Sequence, residues 1–167
     1  KFFYHKMIKF WFAVIIIVLV DVYIESLSGQ NILGNSGKLG FIGETNSRIV
    51  SFFKDEQIVG TFINGFYLIL IGFLCNEYKD KSLLLVFTIA LLFLLTIIIT
   101  GERSTSIKAF LGLGLFLLFI KQINLKKKII FFLLINILIF SLIMNNSFLK
   151  MRFINQISAA INLSNFK

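Results

Sequence analysis

Arg103 stands where a cation is electrostatically out of place. It follows Thr100, Gly101 and Glu102 and opens a predicted helix through Ser104, Thr105 and Ser106. A helix start carries partial positive charge and favours anions, so Arg103, with Lys108 one turn later, is unfavourable unless an anion compensates. A phosphate there would be held by the free backbone N–H groups of the helix end and by the guanidinium fork together. The competing reading is that Arg103 snorkels to lipid headgroups or pairs with its neighbour Glu102.

Arg48 is the second such residue. It ends a glycine-rich stretch and precedes Ile49, Val50, Phe52 and Phe53, after which Lys54, Asp55, Glu56 and Gly60 lead into an apolar block. Asp55 is expected as an N-cap and Glu56 as a favourable first-turn charge. Arg48 is harder to assign to structure, since a second outward cation near the same membrane surface could share one polyanionic ligand with Arg103.

Other polar residues suggest structure before chemistry. Asp21 and Asn64 lie within apolar blocks, where a buried polar group needs a partner, and they are expected to bond each other across helices. Trp11 and Tyr23 suit interfacial anchors, His5 a solvated flank, and Gly112 and Gly114 close helix packing. The chain has no P-loop, HExxH, GxSxG or CxxC pattern. The single cysteine, Cys75, provides neither a disulfide framework nor a thiolate metal site. No metal and no cofactor is expected.

The elements that must position these residues are set by the apolar pattern. Of 167 residues, 57% are hydrophobic, 21 are Phe and none is Pro, and the apolar residues run in long unbroken blocks. A soluble domain of this size could not hide them all. The formal charge of +9 gathers in short clusters such as Lys126, Lys127 and Lys128 between those blocks, as expected of anchors on anionic lipid and not of a nucleic-acid surface.

The expected fold is therefore all-α: a single polytopic transmembrane bundle over residues 1–167, with about five membrane helices. They are predicted near residues 8–24, 58–75, 83–100, 107–120 and 129–144. The basic, aromatic stretch from Lys1 reads as the start of a retained helix and not as a cleaved signal. With the N-terminus cytoplasmic, Lys1, Lys6 and Lys9, then Lys79 and Lys81, then Lys121 and Lys126 to Lys128 fall inside. The long loop 25–57, with Gly29, Gly34, Gly37, Gly40 and Gly43, then lies outside, as do the Gly101 turn and the segment after Met144. Glycine at that density favours turns over helix, and so long a connection is commonly functional.

Two segments carry a family resemblance. Ser47-Arg48-Ile49-Val50-Ser51-Phe52-Phe53-Lys54-Asp55-Glu56-Gln57-Ile58-Val59-Gly60 is followed some forty residues on by Thr100-Gly101-Glu102-Arg103-Ser104. Together they resemble the O-antigen polymerase and O-antigen ligase superfamily of bacterial cell-envelope proteins. There an Arg-x-x-[small]-x-Phe segment ends in Gly at the start of one membrane helix, and a Thr-Gly-x-Arg-Ser type turn begins a later one. Arg48, Phe53, Gly60, Gly101, Arg103 and Ser104 match. Members of that family have more helices and a larger periplasmic loop nearer the C-terminus, so this chain is expected to be a fragment of a longer protein.

The resemblance implies an inner-membrane enzyme that moves a glycan from an undecaprenyl pyrophosphate carrier to an acceptor sugar at the periplasmic face. Arg48 and Arg103 would then be catalytic, with Glu102 or Glu56 as options for the base beside a residue beyond Lys167. Arg48, Arg103, Lys108, Ser104 and Gly101 would bind the lipid-linked oligosaccharide. Membrane lipids and a chain-length regulator or other envelope-assembly proteins are the implied partners, and nucleic acid is not. A flippase or exporter of lipid-linked sugars, or a non-catalytic membrane assembly subunit, stand as the alternative classes.

Overall fold

The computed structural model of the chain describes residues 2–35, 48–54, 56–77, 83–120, 124–156 and 158. Among these residues every regular element is helical. Helix α1 spans Phe2–Ser28, α2 Val59–Glu77, α3 Leu83–Ile99, α4 Arg103–Phe119 and α5 Leu125–Asn145. A one-turn 3₁₀ segment, Ser51–Phe53, precedes α2. A short α6, Ser147–Lys150, continues into a π-helical turn, Met151–Asn155.

Three of these helices, residues His5–Ser28, Val59–Glu77 and Leu125–Asn145, are long and apolar enough to cross a membrane. Helix α3 is as apolar as any of them and shorter. The outward faces carry the same message as the lengths. On α1 the buried residues Ile8, Ile15, Val18, Leu19 and Val22 form one stripe, yet Phe10, Ile16, Ile17 and Val20 on the other side are exposed. A helix that is apolar all round needs an apolar surrounding on the side that packs against no protein.

The chain divides into two compact units, Lys1–Ala109 and Phe110–Lys167. In the first, α1, α2 and α3 pack together. Tyr67 of α2 is fully buried and its hydroxyl donates to the Ala90 carbonyl of α3 at 3.2 Å. Trp11 of α1 stacks on Phe66 of α2 with ring centres 4.7 Å apart, and the Tyr23 and Thr96 hydroxyls of α1 and α3 lie 3.4 Å apart. Trp11 thus has a ring partner on α2 and Tyr23 a hydroxyl partner on α3. His5 at the start of α1 lies 3.8 Å from Glu77 at the end of α2, which sets those two helices antiparallel. In the second unit, Phe110 and Phe132 hold α4 and α5 together with ring centres 5.4 Å apart. Phe132 also meets the bare backbone of Gly114, the packing use expected of that glycine.

Several boundaries differ from the sequence reading for identifiable reasons. Helix α1 runs on to Ser28, so Glu25 lies inside the helix and not at the head of the loop. Its carboxylate is buried and bonded within the protein, so the helix need not stop where its first charge appears. Helix α2 begins at Val59 and has no acid in its first turn. Glu56 precedes the helix and is exposed, and Asp55 lies outside the described residues. Helix α4 begins at Arg103, earlier than 107, because its cap is Glu102. Residues 36–47, with Gly37, Gly40 and Gly43, lie outside the described residues, as do Lys79, Lys81 and Lys121.

Candidate anion site at the arginine end

The end of α1, the start of α2, the end of α3 and the start of α4 meet at one end of the first unit. Three carboxylates build that end. Asp21, fully buried on α1, accepts the Ile32 N–H at 2.7 Å and also takes the Ser51 hydroxyl hydrogen. Glu25, one turn further along the same face, accepts the Ser51 N–H at 2.7 Å and the Val50 N–H at 3.1 Å. Asn31 closes the arrangement by donating from its side-chain amide to the Ser51 carbonyl. Both arms of the long loop are thereby tied to α1.

Ser51 is the centre of this knot and has a φ of 47°, a left-handed conformation that non-glycine residues rarely adopt. Its N–H, hydroxyl and carbonyl are each engaged. That over-determination is what holds such backbone in place. Lys54 leaves the 3₁₀ turn with φ again positive, 55°, and Phe53 packs at a tilt against Phe62 of α2 with ring centres 5.2 Å apart.

Glu102 is the third carboxylate. One oxygen accepts the Gly60 N–H at 2.7 Å, and the other accepts the Thr61 and Thr105 hydroxyls at 2.8 and 2.9 Å. Its backbone carbonyl accepts the Ser106 N–H at 2.9 Å. The Glu102 carboxylate thus caps α2, whose first turn lacks an acid, while its carbonyl takes the first intrahelical bond of α4. Helix α2 reaches the carboxylate because residue 60 is glycine. A Cβ there would sit 2.7 Å from the Thr100 hydroxyl oxygen and 3.0 Å from the Glu102 carboxyl carbon. The chain turns into α4 through Gly101 at φ 76°, whose N–H donates to the Ile98 carbonyl at 3.0 Å; the left-handed turn is open to glycine at no steric cost.

The arginines are left out of this network. Arg103 occupies the first position of α4, half-buried, and makes no hydrogen bond or ion pair with any described residue. The pairing with Glu102 is absent because both Glu102 oxygens are occupied by neutral donors. Arg48 is also half-buried, and its Nε is shut off from solvent with no partner among the described residues. Ser104 and Lys108 are exposed on the first turns of α4, and Gly101 is buried beneath them. Arg48 and Arg103, two of the residues singled out by sequence, share the end of the unit, where the buried carboxylates of Asp21, Glu25 and Glu102 are each taken by other donors and the exposed Glu56 has no side-chain partner among the described residues.

Sequence reasoning missed the partners of Asp21. It bonds the loop and not Asn64, which stands half-buried on α2. The signal was present in the spacing: Asp21 and Glu25 lie four apart on an apolar helix and so share a face. Two intramembrane acids on one face imply a common set of donors. Compared with protein families, curated proteins and solved structures, the chain matches none.

Proposed function

We propose that this chain belongs to a multi-pass protein of the bacterial inner membrane that transfers a glycan from an undecaprenyl pyrophosphate carrier at the periplasmic face. The proposal includes about five crossings, a cytoplasmic N-terminus and the arginine end outside, in keeping with lysine clusters that in the folded chain fall in the first turns of α1 and α5 and in the segment between α2 and α3. The observation that carries it is the pair of half-buried arginines without acidic partners among the described residues, at an end whose three buried carboxylates are all occupied. A buried guanidinium nitrogen with no acceptor is costly, and a pyrophosphate supplies several acceptors at once.

In the reaction, the acceptor hydroxyl oxygen bonds to the anomeric carbon as the bond from that carbon to the pyrophosphate oxygen breaks. The electron pair of the broken bond leaves with the pyrophosphate, and the hydroxyl proton passes to a base. Arg48 and Arg103 stabilise the charge growing on the leaving group, more in the transition state than before it. Ser104, Lys108 and the Gly101 turn line the approach to the phosphates. Glu102 serves as a positioning residue that fixes Arg103 at the helix start.

One observation favours a second reading. Asp21, Glu25 and Glu102 all accept hydrogen bonds, which leaves the exposed Glu56 as the described carboxylate at this end open to act as a base, and outward cations that only bind would suit a flippase or exporter of lipid-linked sugars. Glycan chain length separates the two, measured in a polymerase-null strain complemented with full-length protein and normalised to its membrane level. For the transferase, Arg103→Ala shortens chains to the null pattern. Arg103→Lys loses most activity as well, since a point charge does not reproduce a bidentate fork. Wild-type chain length from well-inserted Arg103→Ala contradicts the catalytic role.

A further inference from the structure

The second unit holds a groove that glycan transfer does not use. It lies between the later half of α4 and the first half of α5, has a volume of about 410 Å³, and is lined by apolar side chains including Leu111, Leu115, Leu118, Ile129 and Leu133. Lys128 is the one charged residue among its lining residues. The Lys128 ammonium donates to the Leu118 carbonyl at 3.0 Å, which leaves two of its three hydrogens for another acceptor. Lys126 and Lys127 stand exposed beside it, and the first turn of α5 carries no acid.

We propose that this groove binds an anionic phospholipid, one acyl chain lying between α4 and α5 and its phosphate on Lys126, Lys127 and Lys128. Dimensions and charge agree on that occupant. From Leu125 to Leu133 the groove follows α5 for about 12 Å, close to the depth of one leaflet, half of a hydrocarbon core of about 30 Å. The lysines crown its end, at headgroup level. A zwitterionic lipid brings its phosphate together with its own cation, whereas a headgroup of net negative charge supplies both an acceptor and a counter-charge to the lysines. Only the membrane setting of α4 and α5 is required, so the site stands or falls independently of glycosyl transfer.

The test is native mass spectrometry of the purified full-length protein with phosphatidylglycerol and phosphatidylcholine of identical acyl chains. Phosphatidylglycerol is expected to be retained at least about tenfold better, and Lys→Gln changes at 126, 127 and 128 to weaken it by about fivefold for each lysine removed. Gly114→Leu fills the groove from the wall, since a Cβ there already lies 3.6 Å from the Phe132 ring; it is expected to lower retention of both lipids with all lysines present. Leu115→Trp, at a 56% exposed position of the same wall, is the companion variant should Gly114→Leu not fold. Equal retention of the two lipids overturns the proposal. So does phosphatidylglycerol binding unchanged by both groove-filling variants, which reduces the lysines to a surface patch. A lipid-free mass of two copies also overturns it and makes the groove a protein interface.

Discussion

At Gly60 a single missing methyl group decides whether α2 reaches the Glu102 carboxylate. With a Cβ 2.7 Å from the Thr100 hydroxyl oxygen, Gly60→Ala forces apart the α2 start and the Glu102 carboxylate. Overpacking of this kind costs about 1–3 kcal/mol, read as a lower midpoint of denaturation in mixed micelles. Adding Thr100→Ala removes the nearest atom and is expected to recover part of the loss. Full stability of the single Gly60→Ala variant would falsify the close approach. Removing the carboxylate itself, in Glu102→Ala, leaves the buried Gly60 N–H without its acceptor and costs about 1–3 kcal/mol. Glu102→Gln retains one acceptor oxygen and is expected to fall between. The sequence singled out Gly60, Glu102 and Arg103 through a short motif. What Glu102 touches was not legible, because its donors Gly60 and Thr61 lie about forty residues upstream and only the return of α3 brings them within reach.

The helices themselves were readable because each needs only a continuous apolar run, and their starts and ends shifted where a tertiary partner replaced a local one. Glu25 illustrates this. Read locally, a carboxylate ends a membrane helix; in the folded chain the Val50 and Ser51 N–H groups satisfy it, and α1 runs on to Ser28. The same contacts fix how the long loop is held. Asp21→Ala removes the acceptor of the Ile32 N–H and the Ser51 hydroxyl and releases the left-handed turn at Ser51. Hydrogen exchange at residues 31–35 and 48–54 is then expected to rise well above that of the α2 and α3 interior, whose Tyr67 and Ala90 contact is untouched. Unchanged protection in those two segments would show that Asp21 does not anchor the loop. Loss of glycan transfer in the same variant, with normal membrane abundance, would follow from displacement of Arg48.

For the whole molecule, the apolar blocks made the helical class and the membrane-length helices legible, since blocks of this length leave little else to form. Sidedness rests on lysine placement alone. In a Cys75→Ser background, Gln30→Cys and Asn124→Cys are expected to react oppositely with an impermeant thiol reagent on intact cells. Position 30 labels from outside, and labelling of 124 without 30 reverses the topology. The remaining claim is chemical: two arginines without acidic partners hold a pyrophosphate while a glycosidic bond forms. Full-length protein reconstituted in vesicles with undecaprenyl-pyrophosphate-linked oligosaccharide tests it most directly, by following new glycosidic bonds and released carrier pyrophosphate together. The account predicts that wild-type protein produces both in equal amounts and that Arg103→Ala, bound to the same vesicles, produces neither. Substrate that binds in an arginine-dependent manner but is never elongated, or elongation that survives Arg103→Ala, would contradict it.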